Sequence, residues 1–513
     1  MSDNSETYRN IGKATGLIIV ITLIDKLLAL VKEIIVADRF GISPDLDVFN
    51  IALALPGLFT LLLAGAITSA LVPLYAEWST RFSPDQANQH TRSILYVTTF
   101  FFGLTAMAIW FLSPVIFPLM GYGFADTQKA LGVVIERMLG FMILLEGTCI
   151  VFMSVLQAQK RFFYLQTAPF FINIITIGLL LFFHRTLGIY TLVWGLLAGT
   201  LCKMVYMGAA LKRNGFKFFA PQRIDYTKVK MFALLVLPLL GSELIANVNL
   251  FIDQIMATKL VPGSVSTLRY AYRINDMPVQ IVILSITIAI FPYISDHAAR
   301  KEYDVLRDIF SKGVILLGLL TLPIICGVLL FSQDVVIILL KRGAFDLTAA
   351  IKTSETLLFY TAGLFFLSYT YINGAFFAAI QDTKPLLYMG FLTVFLNISF
   401  NLVFMWLFGV KGIALSTTFT LMIVAIIFMT LLKRRLKITF ERIFANFWRI
   451  LTAAATMFML GKIFKWYFIA HAIDRLIYVP VTVVIITIFY FIVCWLLRTQ
   501  ELVFYLNIFK KKL

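Results

Sequence analysis

Four ionisable residues, Asp25, Lys26, Lys32 and Glu33, stand among the leucines, isoleucines and valines of the first long apolar stretch. In a bilayer each such charge costs at least roughly 2.5–3.5 kcal/mol near the centre. A chain keeps it there only where it pairs, meets water or binds a charged ligand. Asp25 and Lys32 are seven residues apart, as are Lys26 and Glu33. Two helical turns put each pair on nearly one face. Arg269 and Arg273 lie one turn apart in SVSTLRYAYRINDMP. If two halves of the chain pack face to face, these groups form a basic patch with limited acidic compensation. Arg and Lys there suit an anion, above all a phosphate. The plainer alternative is snorkelling side chains or structural ion pairs.

A second set offers oxygen ligands. Asp253, Asn397, Asn401 and Thr417 fall in three separate apolar segments. They would hold a small cation such as Na⁺ or take part in proton coupling. The alternative is hydrogen bonding between helices, which Asn and Thr commonly provide in membranes. Glu136, Glu146 and Glu243 are further acids in apolar surroundings, and the sequence leaves their partners open.

The elements that must carry these groups are membrane helices. Of 513 residues, 60% are apolar and 14% charged, against about 45–50% and 25% in soluble domains. A spanning helix needs about 20 mainly apolar residues. Fourteen segments qualify, from 11–36 to 475–497, with the seventh to tenth (229–257, 265–295, 309–339 and 347–378) interrupted by polar residues. With the N-terminus inside, 27 basic residues fall on inner segments and 10 on outer loops. That bias predicts a multi-pass protein with both termini cytoplasmic. The net charge of +17 therefore reads as topology and contact with anionic lipid, and excludes nucleic acid as a partner. The polar N-terminus lacks a cleavage signature and is not read as a removable signal peptide. Cys149, Cys202, Cys326 and Cys494 all lie in apolar segments, form no C-x-x-C, and read as small core residues.

A faint repeat relates AQKRFFYLQTAPFFINIITIGLLLFFHRTLGIY to AIQDTKPLLYMGFLTVFLNISFNLVFMWLFGVKG. It predicts a six-helix lobe over 1–211, a basic linker over 212–228, a second six-helix lobe over 229–435, and two extra helices with a basic tail over 436–513. Transporters commonly repeat in this way, with substrate held near the midplane. No phosphate-binding loop, no H-E-x-x-H and no long loop is present, so neither ATP-driven transport nor a membrane-bound transferase is expected.

The stretches KEIIVADRFGISPDLDVFNIALALPGLF, ALVPLYAE, GFADT, LQAQKRFF with TAPFFIN, GSVSTLRYAYRINDMP with AIFPYIS, KRGAFD, QDTKP and FGVKGIALS, taken in order, resemble the MurJ/MviN family of lipid II flippases. That family lies within the multidrug/oligosaccharidyl-lipid/polysaccharide exporter superfamily. The resemblance covers nearly the whole chain. It implies an all-α fold of two six-helix lobes in a V-shape, with two added helices forming a lipid-facing groove. It implies a transporter, not an enzyme, in the bacterial inner membrane, moving a polyprenyl-pyrophosphate-linked saccharide in peptidoglycan synthesis. It implies that Lys26, Lys32 and Arg273 engage the pyrophosphate, that Glu33 orients them, and that Asp253, Asn397, Asn401 and Thr417 fall where some members place a cation. Arg269 joins the binding set by its spacing. Coupling would come from Na⁺, H⁺ or membrane potential, with no cofactor, and the chain is expected to act as a monomer among membrane lipids. Two family arginines are lysines here, at 26 and 32. Thr60, Leu61 and Gly65 stand where many members carry charges. Alternatives are a paralogous exporter of another lipid-linked oligosaccharide, of exopolysaccharide or O-antigen type, and a cation-coupled small-molecule antiporter.

Overall fold

The computed structural model describes residues 2–218, 224–438, 441–497 and 499, with side chains from residue 20 onward except at 246 and 441–444. Arg9 and Lys13 therefore lack described side chains. Arg223, Arg442, Arg498 and the lysines of the basic tail (Lys510, Lys511 and Lys512) lie outside the described residues or side chains.

The first compact unit comprises Met1–Val265 with Arg342–Phe345. Its helices are α1 (Ser2–Phe40), α2 (Pro44–Arg81), α3 (Pro84–Met120), α4 (Asp126–Ala158), the short α5 (Phe162–Thr167), α6 (Phe170–Leu187), α7 (Tyr190–Arg213) and α8 (Tyr226–Ala257). The second unit comprises Ser266–Lys341 and Asp346–Leu513. It takes in almost all of α9 (Ser264–Pro278), a π-helical turn (Val279–Ile283), α10 (Leu284–Ala299), α11 (Tyr303–Leu340), α12 (Leu347–Ala362), α13 (Leu364–Ala379), α14 (Lys384–Phe408), α15 (Val410–Leu436), α16 (Glu441–Ala470) and α17 (Arg475–Leu496).

The local sequence explains the starts of these helices. Ser43 caps α2 through a bond from the Leu46 amide, 3.4 Å, with Pro44 in the first turn. Ser83 and Gln86 form a capping box on α3. Asp225, Asp346 and Asp474 accept from the first free amides of α8, α12 and α17. Each cap satisfies a donor that the helix cannot use itself. The repeat is visible in the backbone. Gly188 and Gly409 end α6 and α14 at φ +52 and +62, a conformation that costs glycine little. Lys160 and Gln381, at matching places before each helix pair, take φ +59 and +58.

Eleven helices among the described residues are long and apolar enough to cross a membrane, or up to thirteen if each of two bent pairs is one span. Fourteen were expected; the count among the described residues is eleven to thirteen. The tenth segment breaks at Gly363 into α12 and α13 with a 41° bend, and α8 bends by 46° between Ile245 and Asn247. α1 is not counted among them; its described part carries Asp25, Lys26, Lys32 and Glu33. Cys149, Cys326 and Cys494 are buried free thiols, as expected, but Cys202 is exposed on α7, so its reading as a core residue is corrected.

Each unit has its own apolar core. Trp78, Phe102, Ile150, Leu211 and Phe216 join α2, α3, α4 and α7 in the first. Phe310, Phe376, Phe377 and Phe428 join α11, α13 and α15 in the second. The segment leaving α7 is laid along α3. Asn88 and Arg92 donate to the Gly215 and Lys217 carbonyls at 3.3 and 2.7 Å, and Tyr96 donates to that of Phe218.

α16 and α17 pack on α11, where a polar hub adds to the apolar contacts. The buried Asp334 of α11 accepts from Lys465 of α16 at 2.8 Å and from the Tyr478 hydroxyl of α17 at 2.9 Å, with Arg475 at 3.4 Å. Replacing Asp334 by leucine strands these donors at a packed interface. It should cost on the order of 3 kcal/mol, read as a lower thermal midpoint of the purified protein. Asp334→Asn, which still accepts hydrogen bonds, should cost less.

Candidate functional site

α1 holds the first basic group of residues. Its inner face packs on α5 and α6, where Thr22 donates to Gln166 at 3.1 Å and Asn173 of α6 donates to Asp25 at 3.1 Å. Asp25 is thus held by an amide from a neighbouring helix. Lys32 and Glu33 are half-buried, with the ammonium 3.9 Å from the carboxylate. Lys26 is exposed. The polar stripe expected from the spacing therefore divides into a docked end at Asp25 and a basic-acidic pair two turns on.

α9 carries Arg269 and Arg273 on one face, both half-buried. Asn275 on the same helix is buried and receives a bond from Thr361 of α12 at 3.2 Å. Immediately after Pro278 the backbone takes a π-helical turn over Val279–Ile283. Proline lacks the amide that would continue the α-helical ladder, and such bulges are frequent at functional sites. The sequence signal was Pro278 itself, which marks a break without saying of which kind. Lys26, Lys32 and Glu33 belong to the first unit, and Arg269 and Arg273 to the second.

The second set divides in the same way. Asp253 is buried on α8 of the first unit. Asn397 and Asn401 are buried on α14 of the second, with the Asn401 amide donating to the Asn397 oxygen at 3.1 Å. Thr417 on α15 donates to the Ile413 carbonyl of its own helix at 3.2 Å. No group of three or more His, Cys, Asp or Glu that could hold a metal ion occurs among the described residues.

The three acids left open by the sequence have different surroundings. Glu146 pairs with Lys203 across α4 and α7 at 2.7 Å, and Thr200 donates to it at 3.4 Å. Glu136 is fully buried, and neither carboxyl oxygen has a hydrogen-bond partner among the described residues. Glu243 of α8 lies against Gly65 of α2, so close that a Cβ at 65 would overlap its carboxyl group. The Asn247 side chain reaches the same carboxylate at 3.4 Å. On α2 the Thr60 hydroxyl is used on its own helix, donating to the Pro56 carbonyl at 2.9 Å, and Leu61 is exposed. The acid beside Gly65 therefore comes from α8. Sequence reasoning noted the missing charge at 65 but had no signal for this carboxylate from another helix.

Compared with known families, residues 36–489 match the model described as "Lipid II flippase MurJ". The chain belongs to this family. Curated relatives include "Probable lipid II flippase MurJ" of Borreliella burgdorferi, 26% identical over 88% of this chain and 89% of that protein. The protein of the same description from Rhizobium meliloti is 28% identical over 77% and 75%. Among solved structures, a lipid II flippase MurJ in an inward closed conformation superposes with a TM-score of 0.81, at 21% identity over 94% of this chain and 99% of that one. An inward-facing multidrug transporter of the MATE family gives 0.70 at 16% identity, over 80% and 94%. The fold is therefore the expected all-α polytopic one, and the chain is a multi-pass bacterial membrane protein of a transporter family.

Proposed function

We propose that this chain is a flippase that carries a polyprenyl-pyrophosphate-linked saccharide, the peptidoglycan precursor lipid II, from the inner to the outer leaflet of the cytoplasmic membrane by alternating access. The family match over 36–489 carries this reading. The half-buried basic side chains of Lys32 on α1 and of Arg269 and Arg273 on α9 support it. Lys26 and Lys32 on α1 and Arg269 and Arg273 on α9 offset the pyrophosphate charge, and Glu33 orients Lys32. The protein makes and breaks no bond; it lowers the cost of passing a charged headgroup through hydrocarbon. Both termini face the cytoplasm, following the bias in basic residues, and the working unit is one chain. Direction comes from membrane potential or from Na⁺ or H⁺, with Asp253, Asn397, Asn401 and Thr417 as the groups that would sense the cation.

One observation favours a second reading. Thr60, Leu61 and Gly65 leave α2 without the charges that many members carry there, which suits a paralogue exporting another lipid-linked oligosaccharide. Complementation separates the two. A strain depleted of its own lipid II flippase should grow when it expresses this chain. Failure to grow, together with loss of a surface polysaccharide on deletion in the native host, would favour the paralogue.

A further inference from the structure

Within the first unit, α2 and α8 leave between them an open cleft of about 380 Å³, lined by Pro73, Leu74 and Glu77 on one side and Leu234, Leu235 and Leu239 on the other. Its walls are apolar save for Glu77 and Ser69, and Glu77 is already paired with Arg81 at 2.8 Å. Lys228 lies on the same face of α8, seven residues before Leu235 and eleven before Leu239. At 1.5 Å per residue the stretch from Lys228 to Leu239 spans about 16 Å, close to one leaflet of a hydrocarbon core about 30 Å thick. On α2 the cleft reaches Glu77, next to Trp78, over whose ring the Lys228 ammonium lies.

That ammonium is half-buried over aromatic rings, 5.3 Å from Phe82 and 6.0 Å from Trp78. It has no ion-pair partner among the described residues. Asp225, which caps α8 one turn earlier, accepts from the Lys228 amide at 3.2 Å and lies 3.1 Å from the His90 ring. Lys230, one residue beyond Val229, is exposed at the same end. An ammonium with no ion-pair partner among the described residues, lying over Trp78 beside an apolar cleft, suits the phosphate of an anionic lipid.

We infer that this cleft is a binding site for an anionic phospholipid of the cytoplasmic leaflet, with one acyl chain between α2 and α8 and its phosphate at Lys228. Such a lipid fills the groove between the two helices and bears on how they pack. The site is separate from the basic residues of α1 and α9, and its test does not depend on transport.

The test titrates the full-length detergent-solubilised protein with phosphatidylglycerol, phosphatidylcholine of the same acyl chains, or polyprenyl phosphate, and counts bound lipids by native mass spectrometry. The wild type should bind phosphatidylglycerol about fivefold more tightly than phosphatidylcholine, and Lys228→Gln should abolish that preference. Leu235→Trp fills the slot from its exposed side and should weaken both phospholipids. Equal binding of the two phospholipids by the wild type would overturn the assignment. So would wild-type behaviour of either variant, or a Leu235→Trp variant that loses polyprenyl phosphate while keeping phosphatidylglycerol.

Discussion

Arg273→Ala should reduce flipping at least about 30-fold, equivalent to about 2 kcal/mol, while leaving the protein folded. Arg273 sits half-buried on α9, one turn from Arg269 and less than two turns before the π-helical turn that interrupts the helix. A guanidinium at this depth offers a planar fork of donors to a pyrophosphate. Alanine removes the fork and the charge together. Lysine at 273 keeps the charge and loses the bidentate geometry, so its loss should be intermediate. Lys32→Ala should fall in the same direction by a smaller factor, since an ammonium is a point charge. The fold should tolerate Arg273→Ala because α9 keeps other anchors. Asn275 stays bonded to Thr361, and Leu268 and Ala271 remain buried. Transport and thermal midpoint measured on one preparation separate the two effects.

The second large effect falls on stability. Glu146→Ala should cost about 3–5 kcal/mol, because it strands the buried ammonium of Lys203. That ammonium lies 2.7 Å from the carboxylate between α4 and α7, and both side chains are buried. Thr200 would lose its acceptor in the same change. Lys203→Ala should be similarly damaging, since it leaves an unpaired carboxylate. The double variant Glu146→Leu with Lys203→Met should recover most of the loss, because it removes both charges and keeps the volume. Thermal unfolding of the three variants in detergent gives the comparison. A double variant no better than the worse single one would contradict the pairing.

The helical content, the repeat and the turns were legible because they rest on local chemistry. Apolar runs near 20 residues, capping Ser and Asp residues, and the glycines of LGIY and FGVKG act within a few residues of themselves. The span count was less legible. It depended on how α8 and the α12–α13 pair bend, which is settled by packing. The basic residues of α1 and α9 stood out because charge in hydrocarbon is costly wherever it falls. Their partners did not. Asn173 reaches Asp25 from 148 positions away, Lys203 reaches Glu146 from 57, and Glu243 comes to rest on Gly65 from another helix. Spacing within one helix says nothing about such contacts. The hub at Asp334 has no local signal for the same reason: Lys465, Arg475 and Tyr478 meet it only because α16 and α17 fold back on α11.

The central claim is tested most directly by reconstitution. Purified chain is placed in liposomes whose lipid II carries a labelled headgroup in one leaflet only, and exposure of the label on the far side is followed with a membrane-impermeant quencher. Exposure should be rapid with the wild type, slow with Arg273→Ala, and no faster than protein-free liposomes when both Lys32 and Arg273 are alanine. Equal exposure with and without the wild-type chain, or full activity in the double variant, would contradict the account.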